Sequence, residues 1–513
     1  MFGIYNLYDT VVRTVPDKTF IVEGDQRISY GEMGHMTNRL AFGFKKLGIK
    51  GGSNVGYMML NSHRTILTFF ALQKLGAFMT PFNFRFPAKE TSEYISMIGC
   101  EYFIYGSEFA AQVEEIKAEH PNVTWIAVEG DAAGATFDAL MDNDADNWTF
   151  FEDMPGDSPA IGILTGGTTG RSKAAVHSKY GMIMQQWTRQ TWLYDAKYIS
   201  VPMVFLMVSP LFHVGGIGPM FNIIAAGGTL VFVGKFDPEN LAKLIAREKV
   251  TDMVLIPPNL AQSIKDAGIY KKYDLTSVRY VGIGGGNITP SHVRVVHEVF
   301  PNAGCDLMYT QSEYATFISH MITPEILDSR PDLIKSVGKP VYFTEAKIMR
   351  EDGSEADVDE IGELYARCVG MMTGYLGQDK SPFIDGWMPT GDLLKKDAEG
   401  YYYFIDRKKD MIKSGGENVY TAEVEGVIKQ IPGVSEVAVV GLPDDFYGEA
   451  VSAAIVLSPG ASLDAQEVTD FCKNFIASYK KPRHVFFMSE LPKSGAGKVQ
   501  KAALKKILID QLH

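Results

Sequence analysis

Residues 164–173 read Leu164-Thr165-Gly166-Gly167-Thr168-Thr169-Gly170-Arg171-Ser172-Lys173 and follow an apolar run at 160–164. Glycine accepts left-handed backbone, so successive N–H groups in such a loop can converge on an anion. The threonine hydroxyls add donors and Lys173 adds a charge, which makes a polyphosphate the natural guest. The Walker spacing Gly-x-x-x-x-Gly-Lys-Ser/Thr is not matched. Taken alone, the loop reads equally well as a polar turn between two strands.

It is not alone. Further along stand Pro210-Leu211-Phe212-His213, Tyr309-Thr310-Gln311-Ser312-Glu313, Thr390-Gly391-Asp392, Asp406-Arg407-Lys408-Lys409-Asp410 and Pro492-Lys493-Ser494-Gly495-Ala496-Gly497-Lys498. Each is short. Together and in this order, over residues 160 to 500, they resemble the adenylate-forming superfamily of acyl- and aryl-CoA synthetases, luciferases and peptide-synthetase adenylation domains. The resemblance implies an α/β protein. A large multi-layer N-terminal domain of sheets and helices would precede a small mobile α+β C-terminal domain.

A carboxylate is a poor acyl donor because its leaving group would be oxide. Attack on the α-phosphate of ATP gives an acyl-adenylate, with pyrophosphate leaving. Two anions must meet, so positive charge is needed at the point of contact. The resemblance gives that task to Lys498, on a Gly-rich loop of the small domain. Glu313 would hold Mg²⁺, a hard cation suited to one carboxylate plus phosphate oxygens, with Thr165 helping. Asp392 would accept the ribose hydroxyls and Arg407 would reinforce ribose or phosphate. Gly284-Gly285-Gly286, Tyr309 and Ser312 complete the expected ATP site with Thr165–Gly170 and Lys173. His213 would orient the reactants, between an acyl pocket of Trp187, Gly215, Gly216 and Tyr309 and the path of the thiol.

For the second half-reaction, acyl transfer to CoA, Lys409 matches the family's hinge position. A change of dihedrals there would swing the small domain between two poses. Lys413-Ser414-Gly415-Gly416 resembles the segment that lines the pantetheine channel of CoA ligases, Lys413, Gly415 and Gly416 being the expected contacts. A β-hairpin with a glycine turn is the plain alternative. The chain departs from the family's usual residues at Gly166, Ser172, Ala174, Thr310 and Thr421, none of them a charged catalytic position.

These residues need elements to hold them. Asp237-Pro238 is a helix cap and first turn, followed by Leu241, Leu244 and Ile245 at helical spacing. A β-type run at 250–256 follows, then a strand at 277–283 entering the glycines. A helix after Thr289-Pro290 carries Val293, Val296 and Phe300, and another run occupies 305–310. Strand, glycine loop, helix, strand is the rhythm of layered α/β architecture. After residue 411 the pattern changes: Thr421 caps a helix, runs at 434–441 and 450–457 read as strands, and a helix at 465–476 precedes a strand at 484–488. The expected division is 1–406 for ATP and acid, 407–411 as hinge, and 412–513 as a lid carrying Lys498.

With 513 residues, more than one domain is expected. Net charge is −12, which speaks against nucleic acid as the main partner. From Phe471 to His513, nine Lys/Arg stand against Glu490 and Asp510, a local balance of +7 that suits a phosphate-rich ligand. Cys100, Cys305, Cys368 and Cys472 lie far apart, which argues against a zinc site and suits a reducing cytoplasm. No secretory signal and no membrane-spanning run is read. The expected function is an AMP-forming acid–CoA ligase using a small carboxylic acid, ATP, CoA and Mg²⁺, with a homodimer left open. Two alternatives stand: an enzyme loading a carrier protein, and a nucleotide- or adenylate-binding protein without turnover. A short- or medium-chain, cyclic or aromatic acid is favoured over a long fatty acid.

Overall fold

The computed structural model describes residues 3–129, 135–165, 173–195, 202–234, 237–255, 260–284, 288, 290–378, 380–493 and 499–512. Two compact units divide the chain. The first contains Met1–Thr165, Lys173–Glu345 and Arg367–Pro382; the second contains Ala346–Ala366 and Phe383–His513. By contacts, therefore, residues 383–406 group with the C-terminal part of the chain. The hinge expected at 407–411 concerns motion rather than contacts.

The first unit is built on two largely parallel sheets. One runs, in order, Lys339–Pro340, Tyr314–Ile322, Gly304–Gln311, Tyr280–Gly284, Asp252–Leu255, Val204–Met207, Thr229–Phe232, Thr19–Glu23 and Gln26–Ser29. The other runs Gly374–Tyr375, Ala174–Ser178, Pro159–Leu164, Phe78–Pro81, Asn54–Met58, Tyr102–Tyr105, Thr124–Ala127 and Ala135–Thr136. Strands such as Phe78–Pro81 and Asp252–Leu255 are buried at every residue, as parallel strands covered on both faces must be. One apolar cluster joins residues of both sheets, including Phe20, Val55, Met79, Ile161, Phe205 and Leu230. Helix His63–Lys74 is buried from Thr65 to its end, so it is a core helix rather than a surface one.

The strand–glycine–helix segment has the form the sequence predicts. Asp237 accepts the Asn240 N–H at 2.8 Å and caps helix Pro238–Glu248, whose buried face carries Leu241, Leu244 and Ile245. Strands Asp252–Leu255 and Tyr280–Gly284 and helix Pro290–Val299 follow.

Strands Thr344–Met349, Gly362–Cys368, Met388–Lys396 and Tyr402–Arg407 form a four-stranded sheet, most of whose residues belong to the second unit. A further sheet comprises Glu417–Val419, Ile412–Ser414, Gly448–Leu457, Val434–Asp444 and His484–Phe487, covered by helices Thr421–Ile428 and Ala465–Lys473. One expectation is corrected: Thr421 is not the cap. Tyr420 holds that position without a side-chain cap bond. Instead the Asp406 carboxylate accepts from the Thr421 N–H, from its hydroxyl at 2.8 Å and from the Ala422 N–H at 3.3 Å. The helix is capped from fifteen residues upstream, across a tertiary contact. Among the described residues no helix is long and apolar enough to cross a membrane.

Candidate active site

Strand Pro159–Leu164 turns back antiparallel into Ala174–Ser178, with Leu164 opposite Ala174. At the base of the turn the Thr165 N–H donates to the Lys173 carbonyl at 2.8 Å, and the Lys173 N–H to the Thr165 hydroxyl at 3.3 Å. The two ends of the Gly/Thr loop are thereby held together. Gly166, Gly167, Thr168, Thr169 and Gly170 lie outside the described residues, as do Gly285, Gly286 and Lys498.

Glu313 occupies the turn between strands Gly304–Gln311 and Tyr314–Ile322. The Tyr375 hydroxyl donates to its carboxylate at 2.7 Å, and the Lys173 ammonium lies 4.6 Å from the centre of the same tyrosine ring. Burial first, then Glu313, pushes the Tyr375 phenol far above its ordinary pKa, so it stays a donor. One edge of the second sheet therefore gathers the loop's lysine and the candidate metal carboxylate on one side chain. Lys173 and Glu313 came from sequence, and Tyr375 did not.

Beside them, the buried His177 imidazole uses Nε2–H to donate to the Ser312 carbonyl at 2.8 Å, while Nδ1 accepts from the Gln185 amide at 3.1 Å. Both nitrogens are engaged in the neutral form, and burial lowers its pKa to about 4. Gln185 also donates to the Gly370 carbonyl. One helical turn on, Arg189 reaches Asp306, Tyr280 and, at 3.3 Å, the Ser319 hydroxyl. Helix Lys179–Asp195 is thus stapled by polar contacts to the strands that lead to Glu313 and Gly284. The signal for this was legible as polar residues four apart on one helix face.

The other expected residues are placed as follows. Gly284 ends its strand, and a Cβ there would meet the Met308 carbonyl at 3.2 Å. Tyr309 is buried, its hydroxyl accepting from the Gln311 amide at 3.3 Å. His213 caps helix Val214–Ala225, its Nδ1 accepting the Gly215 N–H at 3.2 Å. Gly216 is needed there because a Cβ would lie 2.2 Å from the Pro210 carbonyl oxygen. Trp187 is 57% exposed, with its ring 5.6 Å from that of Phe343.

In the second unit Asp392 and Arg407 are register partners on neighbouring strands, with Arg407 Nε 3.8 Å from the nearly buried Asp392 carboxylate. Gly391, at φ 73°, precedes the aspartate and accepts the Lys408 N–H at 2.9 Å. The Lys409 ammonium is held below the ordinary lysine range, mainly by burial. Lys413-Ser414-Gly415-Gly416 is a hairpin between Ile412–Ser414 and Glu417–Val419, with Gly415 and Gly416 both at positive φ as a two-residue turn requires. The Gly415 N–H donates to the Tyr447 carbonyl at 2.8 Å, which sets Phe446-Tyr447 against the glycine turn. Phe446 is 83% exposed, and the Arg483 guanidinium stacks 3.5 Å from the Tyr447 ring centre.

Residues 8–376 match the AMP-binding enzyme family, and residues 423–498 match the AMP-binding enzyme C-terminal domain. The chain belongs to the AMP-binding enzyme family. It is accordingly an enzyme of the ligase class. It is 30% identical to an indoleacetate–CoA ligase of Aromatoleum aromaticum over 96% of each chain. It is also 30% identical to a long-chain-fatty-acid–CoA ligase of Mycobacterium tuberculosis, over 94% of this chain and 93% of that one. The solved o-succinylbenzoate CoA synthetase of Bacillus subtilis, held with its acyl-adenylate intermediate, superposes with a TM-score of 0.85 at 25% identity over 98% of each chain.

The residues of this AMP-binding enzyme fit a magnesium–nucleotide. A carboxylate has two oxygens and about four lone-pair sites, so Tyr375 leaves Glu313 able to bind a hard cation. Among the described residues no group of three or more His, Cys, Asp or Glu could hold a metal. A magnesium ion bound chiefly through phosphate oxygens and water needs only one or two protein carboxylates.

Proposed function

We infer that this chain is an ATP-dependent acid–CoA ligase. A carboxylate attacks the α-phosphate of ATP, giving acyl-AMP and pyrophosphate, and the acyl group then passes to the thiol of CoA with release of AMP. The observation that carries the reading is the convergence of Lys173 and Glu313 on Tyr375, in a chain similar end to end to CoA ligases.

The steps divide among this chain's residues. Thr165–Gly170 and Lys173 cradle the phosphates, while Asp392 accepts ribose hydroxyls and Arg407 steadies ribose or phosphate. Gly284–Gly286 and Tyr309 frame the adenine. Lys498 bridges the attacking carboxylate and the α-phosphate, and supplies the charge that lets two anions meet. Mg²⁺, when bound at Glu313 with Thr165 nearby, neutralises phosphate oxygens. His213 and Gly215 shape the acyl end. The segment around Lys409 is the hinge between adenylation and thiol transfer, so 407–411 divides the protein functionally. Lys413, Gly415 and Gly416 pass the pantetheine arm. Phe446 offers that path a stacking face for the nucleotide end of CoA, next to Tyr447, on which Arg483 stacks.

The acid we propose is short- or medium-chain, cyclic or aromatic. The relatives named above act on acids of several shapes, so the scaffold alone does not choose. A cytoplasmic site of action fits four free thiols, of which Cys305 and Cys472 are buried. Whether two copies associate is decided by the mass in solution.

The test is pyrophosphate release from ATP and Mg²⁺ across a panel of carboxylic acids, with and without CoA. Release with one acid, accelerated by CoA and yielding a thioester, is expected. Release that CoA does not accelerate turns the reading to a carrier-protein loader. ATP binding with no release from any acid turns it to a binding protein.

A further inference from the structure

The edge strand Gly374–Tyr375 pairs antiparallel with Ala174–Ser178, the strand leaving the phosphate loop, with Tyr375 opposite Ala175. The Thr373 N–H donates to the Val176 carbonyl at 2.7 Å and the Leu376 N–H to the Ala174 carbonyl at 2.9 Å, so the strand is pinned on both sides of the tyrosine. The Met372 N–H donates to the Glu313 carbonyl at 2.9 Å, which ties the same segment to the glutamate's backbone. Tyr375 is therefore fixed in register beside the loop and in position beside Glu313.

Its side chain then makes two contacts of opposite polarity. The ring face, electron-rich, lies under the Lys173 ammonium, and the hydroxyl donates to the Glu313 carboxylate. We propose that Tyr375 is a positioning residue that sets the spacing between the phosphate lysine and the metal carboxylate, holding Glu313 in the orientation that receives Mg²⁺. The role rests on the functional reading above. It follows the general behaviour of groups that hydrogen-bond a metal-binding carboxylate, which fix its orientation and whose loss lowers metal affinity. Without the hydroxyl, Glu313 keeps its charge and loses its fixed rotamer. Without the ring, Lys173 also loses its support.

Two substitutions separate the contacts. Tyr375→Phe removes the hydroxyl and keeps the ring, whereas Tyr375→Leu removes both. The readout is Mn²⁺ binding to the full chain with α,β-methylene ATP, followed by electron paramagnetic resonance, alongside ATP affinity measured in EDTA. For Tyr375→Phe the Mn²⁺ dissociation constant should rise about tenfold, with metal-free ATP affinity unchanged. Pyrophosphate release should likewise need about tenfold more Mg²⁺ for half its maximal rate, and should recover at saturating Mg²⁺. Tyr375→Leu should weaken metal-free ATP binding as well; if it does not fold, the phenylalanine variant carries the test alone. Glu313→Gln is the reference. If Glu313→Gln shifts Mn²⁺ binding and Tyr375→Phe does not, the role of Tyr375 is overturned alone. If neither shifts it, Glu313 is not the metal carboxylate, and the functional reading fails at that residue together with the proposal.

Discussion

The Lys501 ammonium donates to the Thr421 hydroxyl across 2.6 Å, joining positions eighty residues apart. Thr421 in turn donates to Asp406, and Lys501 pairs with the Glu425 carboxylate at 2.7 Å. Burial raises the Glu425 pKa while Lys501 lowers it, so the lysine is what makes a charged glutamate tolerable there. Thr421 serves through its amide and its hydroxyl together. A proline would offer neither the N–H nor the hydroxyl that Asp406 receives. Thr421→Val should cost about 1–3 kcal/mol through the lost donor. Lys501→Met should cost about 3 kcal/mol, and the pair Lys501→Met with Glu425→Gln should cost less than Lys501→Met alone. Amide exchange at Val424 and Val427 is the measurement, because it reads the opening of that helix directly.

Lys74 makes stability depend on pH. The side chain is 2% exposed, and its ammonium donates to the Tyr5 hydroxyl, the Asn38 side-chain amide oxygen and the Trp148 backbone carbonyl. None of these acceptors carries a charge. Burial lowers its pKa from 10.5 to about 8. Between those values the unfolded chain holds the proton and the folded chain has released it, so stability rises with pH through that window. Below pH 8 both forms are protonated, and the penalty is constant at about 3 kcal/mol. Buried Tyr5, Tyr8 and Tyr30, with raised pKa values, act in the opposite direction above pH 10. Comparison with Lys74→Met between about pH 8 and 9.5 isolates the lysine. Wild type should gain on the variant as pH rises, and a pH-independent difference in melting temperature would rule the assignment out.

How much of this was legible in the sequence depends on how local each cause is. Asp237 accepting an N–H three residues ahead to cap its helix and the alternation of strands with helices are local, and both are present in the structure. The ends of the Gly/Thr loop, Glu313 at a turn and the Asp392–Arg407 segments carried enough local chemistry to be picked out before any fold was known. Tyr375 did not, because a tyrosine after a glycine is ordinary until strand pairing sets it opposite Ala175. Asp406 stands in one of the family-like segments, and its work as a distant helix cap needed the tertiary contact. Phe446 is silent in the sequence for a related reason. Its meaning lies in being exposed beside a glycine turn, and exposure cannot be read from residue type.

The buried ion pair of the first unit makes a third prediction. The fully buried Asp306 accepts from Arg189, from the Tyr280 hydroxyl at 2.8 Å and from the Ser319 hydroxyl at 2.6 Å. Such a network is costly to break from one side, since the partner charge is left without compensation. Asp306→Ala should lose about 3–5 kcal/mol. The double variant Arg189→Met with Asp306→Leu should lose less than Asp306→Ala alone, because no charge is then stranded. Thermal unfolding of the three proteins is the check, and a double variant no more stable than Asp306→Ala would mean that packing, rather than charge, dominates the site.

The two half-reactions should be separable by substitution, because different residues are assigned to them. Lys498→Ala removes the charge proposed to bridge carboxylate and α-phosphate. Adenylate formation, measured as pyrophosphate release without CoA, should fall to background, while transfer from supplied acyl-adenylate to CoA persists. Phe446→Ala should do the reverse. Loss of one aromatic stacking face for an adenine costs about 1–3 kcal/mol. The KM for CoA should therefore rise about tenfold, with pyrophosphate release in the absence of CoA unchanged. An 83% exposed ring has little to contribute to folding, so the variant should melt with the wild type. Equal damage to both half-reactions by either substitution would overturn the division of roles, and an unchanged KM for CoA in Phe446→Ala would move the nucleotide end of CoA away from that turn.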